Sequence, residues 1–235
     1  MATTPRVENS QLFGILTAIF IVLLTIAVFF LWKRRKGARR GVLLMGLSDC
    51  GKTLIFSRIL HSRFVHTYTS VKENDALKLI DIPGHERVRA KFFDHYKNTA
   101  RGIVYVVDSV TLQKDIRDVA EFLYNLLTDP VVVSNCPSFL VVCNKQDQTM
   151  AKGSTVIKKL LEKELNTLRT TKSSQLESIS ESGERTIFLG KESKDFEFEH
   201  LGPIRVDFAE STAFNKEKDT SPDLSQVEEW LSKIA

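Results

Sequence analysis

Eight residues, "GLSDCGKT" from Gly46 to Thr53, stand between the apolar run "GVLLM" and the helically spaced apolar residues of "TLIFSRILHSRF". The spacing is G-x-x-x-x-G-K-[S/T], and few folds accommodate it. A buried strand must end in a loop tight enough for successive N–H groups to converge, and a helix must begin at once. Gly46 and Gly51 permit the close backbone. Leu47, Ser48, Asp49 and Cys50 make up the curl between them, and Leu54 follows it. The helix beginning near Lys52 turns the positive end of its dipole toward the loop. Lys52 places a cation where the outer phosphates of a nucleotide would lie, and the Thr53 hydroxyl is a ligand for Mg²⁺.

The rest of the chain alternates in the same way. "ALKLIDIPG" ends a strand, "GIVYVVD" (Gly102–Asp108) and "SFLVVCNKQD" are buried strands, and "IRVDFAEST" from Ile204 is a last one. Between them, Ile116, Val119, Ala120, Leu123, Leu126 and Leu127 mark an amphipathic helix. Val156, Leu160, Leu161 and Leu165 mark another. "SPDLSQVEEWLSKIA" reads as a closing helix capped by Ser221 with Pro222 at its first position. Thr170–Glu184, "TTKSSQLESISESGE", shows no period and is predicted to be a mobile surface insertion. The following "FLGKESKDFEFEH" has enough aromatic residues to dock back. The expected fold is α/β: a doubly wound, mostly parallel sheet with helices on both faces. In such sheets ligands sit at the carboxyl ends of the strands, where the remaining motifs fall.

Asn144–Asp147, "NKQD", leaves a buried strand. The Asp147 carboxylate can accept two hydrogen bonds from the ring N–H and exocyclic amine of guanine, and adenine would leave it unpaired. Asn144 can brace the loops, and the Lys145 stem can lie over a base plane. "STAF" from Ser211 also follows a strand, with Thr212 and Ala213 as candidates for a backbone N–H to the guanine oxygen. In "DIPG", Asp81 can hold Mg²⁺ through water and the Gly84 N–H can sense the outer phosphate. His85 is the candidate that orients attacking water; its alternative is a surface residue at a helix start.

Ahead of this domain, Leu12–Trp32 carries no charged residue and is long enough, at about 1.5 Å per residue, to span a bilayer core of about 30 Å. "KRRKGARR" follows, and positive charge stays on the cytoplasmic side. The chain is expected to divide into a short lumenal terminus (1–11), a transmembrane helix (12–32), a basic cytosolic linker (33–40) and a nucleotide domain (41–235) with a flexible insertion near 170–200. The net charge of +4 is concentrated in that linker, so no direct nucleic-acid binding is expected. Cys50, Cys136 and Cys143 fit no metal spacing and read as reduced thiols.

Taken in order, these motifs resemble those of the small GTPase superfamily, and "PGH" looks like its Sar/Arf side. "GLSDCGKTL", "LIDIPGHERVR", "VYVVDS", "DVAEFLYNLL", "PSFLVVCNKQD" and "EKELNTLR" resemble more closely the beta subunits of the signal recognition particle receptor. That resemblance runs from Leu12 to Ala235. It implies a GTP/GDP- and Mg²⁺-binding subunit anchored by one span in the endoplasmic reticulum membrane with its GTPase domain in the cytosol. It implies a heterodimer with the receptor's alpha subunit, and a receptor that accepts ribosomes for the translocon. It also implies a switch segment at Thr67, Tyr68, Thr69 and Ser70, with Thr67 or Thr69 on Mg²⁺. Two alternatives stay open: a Sar/Arf-like anchored GTPase of vesicle traffic, and a non-hydrolysing scaffold that uses nucleotide only for its fold and partner contact.

The superfamily places an antiparallel hairpin before the "DxxG" strand. Here only "SVKEND" separates the switch segment from the strand at Ala76. At about 3.3 Å per residue, six residues cannot make a strand, a turn and a return. The edge strand is expected to be shortened or missing, and GTP to be discriminated poorly from GDP.

Overall fold

A computed structural model of the chain describes residues 14–26, 39–61, 78–179, 188–191, 193–214 and 222–235. Helix α1 covers 14–26 and belongs to a unit, 1–39, separate from the unit 40–235. Ile15, Leu16, Phe20 and Leu23 of α1 are all more than half exposed. The hydroxyls of Thr17 and Thr25 donate to the Gly14 and Val22 carbonyls, so neither is left seeking water. The rest of the span expected at 12–32 lies outside the described residues. Among the described residues no helix is long and apolar enough to cross a membrane.

The larger unit runs β1 (Gly41–Met45), α2 (Lys52–His61), β2 (Lys78–Asp81), α3 (Glu86–Tyr96), β3 (Ala100–Asp108), α4 (Leu112–Leu127), α5 (Pro130–Asn135), β4 (Ser138–Asn144), α6 (Ser154–Ile179), β5 (Val206–Glu210) and α7 (Ser225–Ile234). All five strands pair in parallel, in the order β2-β1-β3-β4-β5. Strand side chains alternate between faces, and that alternation divides the core. Leu43, Tyr105, Val141 and Cys143 face a cluster completed by α4 and α6 through Leu123, Ile157 and Leu161. Val42, Leu44, Val106 and Val142 face the opposite cluster, completed by Ile55 and Phe56 of α2 and Trp230 of α7. A fully buried aliphatic or aromatic side chain of this kind contributes roughly 1.5–3 kcal/mol. Tyr105 is fully buried, and its hydroxyl donates to the Val119 carbonyl at 2.8 Å, tying β3 to α4.

Both faces of the sheet are therefore covered, as the near-continuous apolar strands require. The switch point falls at β1 and β3, whose neighbours lie on opposite sides, and the phosphate loop emerges there. Among the described residues β2 is an edge. Thr67, Tyr68, Thr69, Ser70 and the expected missing hairpin lie outside the described residues.

Three elements differ from the sequence reading. Thr170–Ile179 continues α6 as helix rather than forming a loop. Arg169, just before it, is buried and donates to the Leu189, Lys191 and Lys194 carbonyls, which docks the following segment. Phe196 and Phe198 of that segment enter the core. The closing helix starts at Ser225, not at Pro222; Ser221 lies outside the described residues. Its start is displaced because Asp223 pairs with Thr212 through two backbone hydrogen bonds of 2.9 Å, which keeps that stretch extended. Helix α5 has no counterpart among the elements expected from sequence. Asp129 caps it by accepting from the Val131 and Val132 N–H groups, with Pro130 at its first position.

Candidate nucleotide site

The Gly46–Thr53 loop leaves β1 in a tight curl. Gly46 has φ 143°, and a Cβ there would lie 2.3 Å from the Val106 carbonyl oxygen, so only glycine lets the loop start against β3. Gly51 has φ 92°, and its Cβ would lie 2.3 Å from Asn144 Nδ2. Asp49 also takes a positive φ, 61°. Cys50 is buried, and its thiol donates to the Leu47 carbonyl at 3.1 Å. Burial pushes that thiol's pKa up despite the opposing charge of Lys52, so Cys50 is a neutral packing residue of the loop. Lys52 is 6% exposed, with Nζ 2.5 Å from the Leu47 carbonyl oxygen, inside the curl.

Thr53 and Asp81 meet at the mouth. Thr53 Oγ1 donates to Asp81 Oδ2 at 2.8 Å, while Asp81 Oδ1 is buried with no partner. Burial raises the Asp81 carboxyl above its ordinary value, opposed by the Thr53 hydrogen bond and the Lys52 charge. A divalent cation near that oxygen would remove the conflict. Gly84 brings the "DIPG" turn against the loop: a Cβ on it would sit 2.7 Å from the Ser48 nitrogen and 2.8 Å from the Leu47 carbonyl oxygen.

His85 is the N-cap of α3, and its Nδ1 accepts from the Arg87 N–H at 3.3 Å. That leaves the hydrogen of a neutral ring on Nε2, which then presents a donor rather than an acceptor outward.

The base side is built on Asn144. Its Nδ2 donates to the Cys50 carbonyl at 2.9 Å, and its Oδ1 accepts from Ser211 Oγ at 3.1 Å and the Ala213 N–H at 3.3 Å. One side chain thus joins the phosphate loop, the β4 loop and the β5 loop. Lys145 sits at φ 68°, and its Nζ reaches Asp108 Oδ2 at 2.6 Å. Asp147 Oδ1 is buried without a partner. A cavity of about 170 Å³ lies between Gly51, Leu54, Asn144, Lys145, Asp147, Gln148, Ala213 and Phe214.

Of the two candidates in "STAF", Ala213 lines this cavity. The Thr212 N–H is committed to the Asp223 carbonyl and is not aimed at a base. Sequence reasoning missed Asp108, Gln146, Gln148, Ser211 and Phe214. Gln146 Nε2 reaches Ser109 Oγ at 3.0 Å and the Lys152 carbonyl at 2.9 Å, stapling the base loop to β3 and to the turn before α6. Its place inside "NKQD" was the available signal.

Sheet order, phosphate loop and Asn144 hub define a phosphate-loop nucleotide domain of the GTPase type. Residues 37–204 match the family described as signal recognition particle receptor beta subunit. The chain belongs to that family. It is 44% identical to the rat signal recognition particle receptor subunit beta, over 97% of this chain and 89% of the rat protein. It also resembles a solved structure of the mammalian SRP receptor, with 43% identity, a TM-score of 0.69, and coverage of 83% of this chain and all of that one. A structure of SRb-GDP from Chaetomium thermophilum shares the fold at 23% identity and TM-score 0.66, over 84% of this chain and 98% of that one.

Proposed function

We propose that this chain binds GDP and GTP with Mg²⁺ at the site above and is the GTP-binding subunit of a signal recognition particle receptor. In this reading it holds the alpha subunit at the endoplasmic reticulum membrane for co-translational targeting, in a receptor that accepts ribosomes for the translocon. The observation that carries it is a pair of orphaned oxygens. Asp81 Oδ1 and Asp147 Oδ1 are each buried without a partner, at the two places where a metal and a guanine edge are needed. A buried carboxylate oxygen left unpaired costs about 1–3 kcal/mol or more, which a ligand donor would recover.

The residues take separate roles. The converging N–H groups of Gly46–Thr53 and the Lys52 ammonium hold phosphate oxygens. Thr53 and Asp81 would hold Mg²⁺, which supplies positive charge against the outer phosphates. Asp147 selects guanine, Asn144 fixes the loops, the Lys145 stem covers the base plane, and the Ala213 N–H swings from Asn144 to the guanine oxygen. The family resemblance assigns the switch segment to Thr67, Tyr68, Thr69 and Ser70, with Thr67 or Thr69 as the further candidate for the metal.

Membrane attachment through 12–32 is part of the proposal. Its support is the uncharged run, the apolar exposure of α1 and the basic stretch behind it. A second reading, the slow or non-hydrolysing scaffold, has one observation in its favour: His85 spends Nδ1 as a helix cap. The site is tested by Asp147→Asn. An amide there donates where guanine also donates, but matches the C2 carbonyl of xanthine. GDP affinity should fall by roughly 100-fold or more while xanthosine diphosphate gains. Unchanged GDP affinity would remove Asp147 from the site.

A further inference from the structure

We infer that Asp108 is a positioning residue of the base site, acting through Lys145 to hold one wall of the slot in place before the nucleotide arrives; this rests on the guanine-nucleotide reading above. Parallel pairing sets Asp108 beside Asn144 at the ends of β3 and β4. The residue after Asn144 turns left-handed, φ 68°, which sends the Lys145 side chain back across the end of the sheet to the Asp108 carboxylate at 2.6 Å. The carboxylate itself is fixed. Its other oxygen accepts from the Val110 N–H at 2.9 Å and the Thr111 N–H at 3.3 Å. Its side chain is 12% exposed and that of Lys145 26%, so the pair is sheltered rather than solvated.

The consequence follows from the chemistry of lysine. Its stem has four rotatable bonds, and an unanchored lysine would sweep the cavity mouth. Anchored at Nζ, the stem forms a fixed apolar wall of the cavity that also holds Asp147 and Ala213. Ordering that wall beforehand removes a cost from binding. Burial alone would raise the Asp108 carboxyl, but the Lys145 hydrogen bond and the two backbone N–H groups bring it below its ordinary value, so it stays charged at neutral pH.

Asp108→Asn is the informative change, because an amide oxygen still caps the 109–111 turn while the charge facing Lys145 is lost. Release of a fluorescent GDP from the full-length chain is timed for the wild type, Asp108→Asn, Lys145→Met and the double variant. Loss of one charge-assisted hydrogen bond corresponds to about tenfold faster release from Asp108→Asn. The same change made on Lys145→Met should add nothing. Where release is too fast to time, equilibrium affinities at high GDP close the same cycle. Equal acceleration in both backgrounds would mean that Asp108 acts through the turn alone, and would overturn the inference. So would an unchanged rate in Asp108→Asn when the wild type binds GDP. A wild type that binds no GDP would overturn the nucleotide reading itself, and the inference with it.

Discussion

Thr53 Oγ1 donates to one oxygen of Asp81 at 2.8 Å and leaves the other buried with nothing to accept from. Burial holds the Asp81 carboxyl above the ordinary aspartate value of 3.8. The folded chain therefore binds this proton more tightly than the unfolded chain does. The cost of the charged form is absent below pH 3.8 and sets in as pH rises through the folded pKa. Without metal, Asp81→Asn should stabilise the chain relative to wild type at neutral pH by about 1–3 kcal/mol, and the advantage should vanish on acidification. With GDP and Mg²⁺ the order should reverse. Urea melts at several pH values, with and without ligand, check both parts.

Gly51 brings the phosphate loop against Asn144 of the base side. Gly51→Ala places a carbon on Asn144 Nδ2 at a φ of 92°. It should displace the amide that reaches the Cys50 carbonyl. The expected loss is about 1–3 kcal/mol in stability, with GDP binding weakened more than that loss explains. Thermal melts and GDP titration on the same variant separate the two effects.

His85 caps a helix, and capping can be separated from catalysis. His85→Ala should cost about 0.5–1 kcal/mol of stability. His85→Asn keeps a good capping side chain and should restore it. If the imidazole also orients water, GTP turnover falls in both variants. If it only caps, turnover is the same in all three proteins, which single-turnover assays of GTP hydrolysis would read.

Between Ser70 of the switch segment and β2 at Lys78 the sequence has only the seven residues Val71–Leu77. The expected result is GTP and GDP affinities that differ by less than about tenfold. A hairpin-length insert after Lys72 should widen the difference. Competition between GTP and GDP, measured on both chains, tests this; no change on insertion would remove the short switch as the cause.

The parts legible in sequence were those with narrow backbone requirements. Gly46 and Gly51 had to be glycines because Val106 and Asn144 come within a bond's width of contact. The strands could be read because both faces are buried. The end of α6 could not: its Thr and Ser hydroxyls hydrogen-bond within the helix, as Thr170 and Thr171 do to Asn166 and Thr167, and Lys172 reaches Glu121 of α4, so no apolar period marks it. Helix α5 was hidden by a valine run that reads as strand, although the Asp129-Pro130 pair carried its cap. Ser221-Pro222 misled because a long-range backbone pairing, Thr212 with Asp223, overrode a local capping signal. Asp108 escaped notice because its partner is set by β3–β4 register, which no local pattern records.

The central claim is tested most directly by GDP affinity of the full-length chain, measured with ADP as competitor and with or without Mg²⁺. Asp147 and the Thr53–Asp81 pair call for GDP binding that Mg²⁺ strengthens and that ADP fails to displace even at roughly 100-fold excess. Equal competition by ADP would contradict the base site, and indifference to Mg²⁺ would contradict the metal role of Thr53 and Asp81.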